Sequence, residues 1–312
     1  MNCIIKGGNM EKINFDVAII GAGVAGMTAG IYLKRAGINC IIIEKEMYGG
    51  QINKAPMVEN YPGYVKISGL ELTTNIFEQV KKLGIEYITD EVVSVSSTED
   101  EKIVNLKNKE LKVKAIIIAT GKKPRKLNVT NEEKLLGRGI SYCATCDGNF
   151  FKDKDVAVVG GGSTSLEEAI YLSKLCNKVT ILNRSDNLRA EPHYQKEIKN
   201  IKNIEVKYNS IVEKFNEKDE KLSSIDIKES GKDSNLKVEG CFICIGYTPS
   251  SEIFKGVIEL DKDGYIKVDD KNRTNVKGIY AAGDIVKKER FQLISAMNDG
   301  VVAASTCIKE LK

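Results

Sequence analysis

The sequence predicts an α/β fold of two doubly wound, three-layer domains, the second inserted into the first. Two observations carry this. The chain has 312 residues, a length that suggests two domains, and it holds two strand–glycine turn–helix–strand units whose first glycines, Gly21 and Gly160, are 139 residues apart. In the first unit, residues 16–20 form a short apolar run that reads as a buried strand. Gly21-Ala22-Gly23-Val24-Ala25-Gly26 follows at once. A helix then runs to about Arg35, with Gly37 as its stop, and residues 39–43 form the next strand. In the second unit, Asp155–Val159 is the strand and Gly160-Gly161-Gly162-Ser163-Thr164-Ser165 the turn. Residues 167–175 are the helix and Lys178–Leu182 the following strand. Two more strands, residues 115–119 and 240–245, end in the turns Thr120-Gly121 and Gly246-Tyr247. The chain is expected to cross between domains just after these turns. Residues 1–122 and 248–312 then form one domain and residues 123–247 the other.

A glycine-rich turn between strand and helix lets backbone N–H groups approach a pyrophosphate, and the helix N-terminus adds a favourable partial charge. Gly21 permits the tight turn, Gly23 the close phosphate approach, and Gly26 the packing of helix on strand. Glu44 closes the next strand, where a carboxylate accepts hydrogen bonds from a ribose. Strand, loop, helix and acid together make this a Rossmann-like dinucleotide site. The second loop is less regular. Gly160, Gly162 and Ser165 give GxGxxS, and no acid closes the following strand. Arg184 and Arg189 come next, and a guanidinium pair suits a ribose 2′-phosphate. The bland alternative is two surface arginines.

Cys143-Ala144-Thr145-Cys146-Asp147 is a CxxC followed by an acid. Two intervening residues let the sulfurs meet in a small ring that opens and closes reversibly. Asp147 suits a general acid/base if burial raises its pKa. The rival reading is half of a zinc site, with Cys241 and Cys244 as the other half. Those two lie in an apparent strand, where residues three apart point to opposite faces, so no metal site is expected. The cysteines outside the CxxC read as buried small hydrophobes. His193, the single histidine, reads as a surface loop residue.

The net charge is +4, from 47 basic and 43 acidic residues, with the lysines scattered along the chain. A nucleic-acid footprint clusters its charge, so none is expected. The pattern fits a solvated mixed surface, or one that complements an acidic protein partner. Tryptophan is absent, which argues against a base- or sugar-stacking platform. No apolar run is long enough for a membrane span, and the apolar run in residues 1–10 is too short for a signal peptide. Met10 offers an alternative start. The expected location is cytoplasmic.

Two dinucleotide units with a CxxC between them resemble the low-molecular-weight thioredoxin reductase family over nearly the full chain. The matching stretches are 21–26, 49–51, 58–63, 119–121, 143–148, 167–169, 188–190 and 281–284. The resemblance implies a homodimer that binds FAD in the first domain and a pyridine nucleotide in the second. Gly49, Gly50, Gln51 and Asn60 fall where the family holds the flavin, and Thr120 and Gly121 line the same cofactor. Lys45 and Val92 join Glu44 on the FAD side. Gly283 and Asp284 match the turn whose acid binds the ribityl chain, with Gln292 near the isoalloxazine and Phe291 and Leu293 on either side of it among the cofactor-binding residues. On the nucleotide side the implied residues are Gly160, Gly162, Thr164, Arg184 and Arg189. Electrons would pass from donor to FAD, to a Cys143–Cys146 disulfide, and on to thioredoxin, with two alternating domain orientations. The departures concentrate on the nucleotide side. The family's Gly-Gly-Gly-Asn-x-Ala becomes Gly160 to Ser165, and Ser185 replaces one of three arginines. Phe291 precedes Gln292 where the family has arginine. NADPH is therefore the expected donor and ferredoxin the alternative. A role outside thioredoxin reduction, as the reductase of a peroxidase or a ferredoxin–NADP⁺ reductase relative, fits the CxxC and the chain's domain content less well.

Overall fold

The computed structural model describes the chain apart from residues 1–2, 7–8, 13–14, 56–57, 59 and 99–100, and apart from the side chains of residues 3–6, 9–12, Lys54 and Cys146. It divides into two compact units, Met1–Lys123 with Thr248–Lys312, and Pro124–Tyr247.

In the first unit, Val17–Ile20 (β1) leads through the glycine loop into Val24–Arg35 (α1), and Cys40–Glu44 (β2) follows. Gly37, at φ +81°, ends α1 as expected, donating to Lys34 O. Gly69–Lys82 (α2) is capped by Ser68, whose Oγ accepts the Glu71 N–H at 3.1 Å. It buries Leu72, Thr73, Ile76 and Val80, one face at helical spacing. Glu86–Thr89 (β3) is the next strand. Val92–Ser97 (β4), Lys102–Leu106 (β5) and Glu110–Val113 (β6) form an antiparallel sheet before Ala115–Ile118 (β7).

The second unit contributes Ile140–Ser141 (β8), Ala144–Asp147 (α3), Asp155–Val159 (β9), Ser163–Ser173 (α4), Lys178–Leu182 (β10), Pro192–Lys199 (α5) and Ile204–Lys207 (β11). Ser210–Lys218 (β12), Lys221–Glu229 (β13) and Lys232–Lys237 (β14) form a second antiparallel sheet, and Gly240–Ile243 (β15) closes the unit. Back in the first unit come Ile279–Ala281 (β16) and Leu293–Leu311 (α6).

Each unit is built on a five-stranded parallel sheet, ordered β16-β7-β1-β2-β3 in the first and β8-β15-β9-β10-β11 in the second. The central strands are continuous apolar runs because both faces are covered. Along β1, Val17 and Ile19 pack with α1, α2 and α6, while Ala18 and Ile20 pack under β4–β6. Along β9, Val156 and Val158 face α4 and α5, while Ala157 and Val159 face β12–β14. The third layer in each unit is thus an antiparallel sheet.

Three local expectations need correction. Helix α4 starts at Ser163, not 167, because the loop ends at its N-cap, Gly162, and helical hydrogen bonding begins at once. His193 lies in helix α5, where Pro192 at the first turn supplies a preset φ; its side chain remains exposed. The last strand stops at Ile243, so Cys244 lies beyond it. Cys241 and Cys244 still diverge, one into the core under the antiparallel sheet and the other toward the helix side. Cys40, Cys176, Cys241 and Cys307 are buried. The Cys3 side chain lies outside the described residues. Among those residues, no helix is long and apolar enough to cross a membrane.

Candidate functional site

The first glycine loop is set by close approach. Gly21, at φ +107°, donates its N–H to Ile43 O at 2.8 Å, and a Cβ there would stand 2.4 Å from Ala119 O. A Cβ on Gly26 would stand 2.0 Å from Gly21 O. Gly23 is different: nothing lies within 4 Å of its would-be Cβ. It is the N-cap of α1 and offers no side-chain cap, which leaves the first-turn N–H groups to another acceptor. That is the geometry an incoming diphosphate needs. Glu44, at the end of β2, accepts the Ala22 N–H at 2.8 Å and the Glu46 N–H at 2.9 Å. Asp90 N–H donates to Glu44 O at 2.9 Å, which brings the start of β4 beside it. Val92 there is buried in the core, and Lys45 is exposed, 3.9 Å from Glu91.

The other predicted residues of the first unit join in pairs. Gly49 donates to Ala22 O at 2.8 Å, and Gly49 and Gly50 both have positive φ, at +95° and +61°. Gln51 Nε2 donates to Lys122 O at 2.8 Å. Asn60 Nδ2 lies 3.3 Å from Gln292 Oε1. Gln292 caps α6 in a capping box with Ser295, just before Leu293. Thr120 Oγ1 donates to Ser250 O at 2.9 Å, and Gly121 O accepts the Ser250 N–H. Gly283 N–H donates to Asp299 Oδ2 at 3.0 Å and opens the short turn that presents Asp284.

Lys122 was not anticipated. Its Nζ lies 3.4 Å from Asp284 Oδ2 and 3.4 Å from the centre of the Phe291 ring. Its side chain is 9% exposed, and burial lowers its pKa while Asp284 pulls it back up. A lysine directly after Thr120-Gly121 was the only signal for it.

The second loop repeats the first with changes. Gly160 donates to Leu182 O at 3.0 Å, and a Cβ there would stand 2.4 Å from Cys244 O, as Gly21 stands to Ala119. Ser165 occupies the place of Gly26. It is buried, and its Oγ donates to Gly162 O at 2.7 Å. Gly162 faces open space, like Gly23. Asn183 takes the place of Glu44. It is buried, and its Nδ2 donates to Ser185 O at 2.9 Å and Asn187 O at 2.8 Å, tying down the loop after β10. Arg189 N–H donates to Gly161 O at 2.7 Å, which carries Arg189 to the glycine loop. Thr164, Arg184 and Arg189 are exposed, and neither arginine has an ion-pair partner among the described residues. Exposed arginines in the loop that Arg189 ties to an uncapped helix N-terminus suit an anion.

The CxxC motif lies in the same unit. Cys143 is disulfide-bonded and half-buried. The Cys146 side chain lies outside the described residues. Ser141, buried at the end of β8, ties the turn together: its Oγ accepts the Cys143 N–H at 3.0 Å and donates to Asp147 Oδ2 at 2.6 Å. Asp147 N–H donates to Cys143 O at 3.2 Å. The turn therefore holds the backbone of the disulfide-bonded Cys143 and the Asp147 carboxylate on one hydroxyl. Nothing in the residue pattern marked Ser141.

Residues 15–300 match the family model described as pyridine nucleotide-disulphide oxidoreductase. The chain is 41% identical over 298 residues to a thioredoxin reductase of Bacillus subtilis, covering 95% of this chain and 94% of that one. Its fold matches the crystal structure of Lactococcus lactis thioredoxin reductase with a TM-score of 0.78 at 37% identity, over 95% and 98% of the two chains. A ferredoxin-flavin thioredoxin reductase from Clostridium acetobutylicum matches with a TM-score of 0.53 at 28% identity, over 96% and 98%. This chain is an oxidoreductase that belongs to the pyridine nucleotide-disulphide oxidoreductase family, among the low-molecular-weight thioredoxin reductases.

Proposed function

We propose that the chain passes electrons from NADPH through FAD to a Cys143–Cys146 disulfide and on to the disulfide of thioredoxin. The observation that carries this reading is the Cys143 disulfide, held with Asp147 on Ser141 in the unit that also bears an open glycine loop. Bound FAD would supply two-electron chemistry between a pyridine nucleotide and a disulfide. The residues fit that group. Gly23 leaves room for the diphosphate, Glu44 for the ribose, Asp284 for the ribityl chain, and Asn60 with Gln292 for the ring edge. Gly162, Thr164, Arg184 and Arg189 would receive the NADPH phosphates.

Two electrons and two protons open the disulfide to two thiols. One thiol loses its proton, and the thiolate attacks a thioredoxin sulfur to form a mixed disulfide. The second thiol then gives up its proton, and its thiolate attacks the mixed disulfide, releasing thioredoxin as a dithiol that carries both protons and restoring the starting bond. In this reading Asp147 takes and returns the thiol proton. The reading includes a homodimer, carried over from the family resemblance, and keeps the cytoplasmic location expected from the sequence.

Anaerobic mixing with NADPH, followed by flavin absorbance, tests the donor. Rapid bleaching at micromolar NADPH is expected. Arg184→Ala and Arg189→Ala should each raise the NADPH concentration required about tenfold, the loss of one charge-assisted contact. Reduced ferredoxin is the second reading, favoured by Ser185 and Asn183 on the nucleotide side. Bleaching by ferredoxin and not by NADPH would replace the first reading with it. Asp284→Asn should weaken FAD retention about tenfold, measured as flavin per protein after dialysis; unchanged content would remove Asp284 from the site.

A further inference from the structure

Behind the redox turn stands a carboxyl–thiol pair that the mechanism above leaves unused. Cys244 Sγ donates to Glu168 Oε2 at 2.6 Å. The Ala144 N–H donates to the same carboxyl. Ala144 is buried and directly follows Cys143. The two N–H groups at the head of the redox turn are thus both taken by side chains, Cys143 N–H by Ser141 and Ala144 N–H by Glu168.

The groups around Glu168 are neutral or acidic. On α4 there is Glu167, which itself accepts the Tyr194 hydroxyl of α5 at 3.1 Å. Beyond β15 there is Cys244, with Cys241 behind it. On α3 there are the Ala144 N–H and Asp147, the latter engaged by Ser141. Among the described residues no cation pairs with Glu168. Burial raises the Glu168 pKa, and the Cys244 and Ala144 hydrogen bonds draw it partly back. The Cys244 thiol is held well above its ordinary value, so it stays a protonated donor.

We propose that Glu168 is a positioning residue for the Cys143 disulfide, bracing the turn through the Ala144 N–H and coupling the protonation of the dithiol to its own. This rests on the disulfide being the redox centre. The coupling is like-charge repulsion. Reduction breaks the S–S bond with two electrons and two protons, and one thiol then ionises. A thiolate in the turn and a carboxylate behind it each raise the other's pKa. The sign follows. At a pH where Glu168 is neutral in both redox states, it does not affect reduction. As pH rises and it ionises, it disfavours the reduced thiolate state, so the disulfide becomes harder to reduce than the pH alone requires.

The test equilibrates the full-length flavoprotein with a fixed dithiothreitol couple from about pH 5.5 to about pH 9, a range spanning carboxyl and thiol titration. Cys143 oxidation is read by alkylation and mass spectrometry. Each variant is compared with wild type, so the pH dependence of the reagent cancels. Glu168→Gln keeps an acceptor for the Ala144 N–H and removes the charge. Its equilibrium constant for reduction should match wild type at the acid end and exceed it by about tenfold at the alkaline end. A ratio that stays constant with pH overturns the proposal. Cys244→Ala removes a donor to the carboxylate, so extra resistance to reduction should begin at higher pH, and Cys244→Ser should restore the wild-type curve. Should Glu168→Gln fail to fold, a Cys244→Ala curve identical to wild type overturns the proposal instead. Thioredoxin reduction by the wild-type protein is measured in parallel. Its failure would sink the redox reading, whereas parallel curves in an enzyme that reduces thioredoxin would sink only the role of Glu168.

Discussion

Cys143→Ser is expected to lower NADPH-driven thioredoxin reduction by at least about three orders of magnitude, with flavin content unchanged. Disulfide exchange needs an accessible thiolate. None of the other described cysteines replaces Cys143. Burial pushes Cys176 up to about 11 and Cys40 and Cys307 up to about 12. Cys241 and Cys244 are raised as well. A thiol at about 11 is ionised in roughly one molecule in ten thousand at neutral pH, and these are also shielded from a protein substrate. Serine preserves the backbone N–H that Ser141 accepts, so the turn should keep its shape. The FAD-side residues lie in the other unit and are untouched. The measurement is NADPH oxidation coupled to thioredoxin reduction, alongside the flavin-to-protein absorbance ratio. Activity above about one hundredth of wild type would show that the Cys143 disulfide is not the electron carrier.

Gly26→Ala is expected to destabilise the first unit by about 2–4 kcal/mol and to remove most of the bound flavin. Its Cβ would stand 2.0 Å from Gly21 O and 3.3 Å from Ala119 Cβ. Backbone on one side and a core methyl on the other leave no flexible atom to yield, so α1 must lift from β1. That movement opens the glycine loop. Gly23→Ala separates packing from phosphate approach. Its Cβ meets nothing within 4 Å, so the melting temperature of the flavin-free protein should stay within a degree or so, while FAD affinity falls because the methyl occupies the phosphate's approach. Thermal melting with and without added FAD reads both effects. An unchanged melt in Gly26→Ala would contradict the close packing, and unchanged FAD affinity in Gly23→Ala would move the diphosphate elsewhere.

The parallel strands and their crossings were legible because each has a strong local cause. Runs such as 16–20 and 178–182 are apolar on both faces, which only a doubly covered strand tolerates, and a glycine turn at the C-terminal end of each marks the passage into a helix. The antiparallel sheets of 92–113 and 210–237 were not legible. Their strands alternate weakly and carry many charged residues, because one face is solvated, and only pairing across the sheet reveals them. The start of α4 was misplaced for a related reason: serine and threonine at 163–165 read as loop, yet the open N-terminus of a helix is where they belong.

By itself, the amino-acid order determined where the loops, the CxxC pair and Glu44 stand, because these are set by residue type and spacing over a few positions. The tertiary structure alone decided what surrounds them. Lys122 meets Asp284 across 162 residues of chain, Cys244 meets Glu168 across 76, and Asn183 turns inward to staple its own loop where Glu44 faces the first one. Each is a polar group shielded from water, whose partner is chosen by which strand ends lie side by side. That choice is made by the packing of the whole sheet, and no local pattern encodes it.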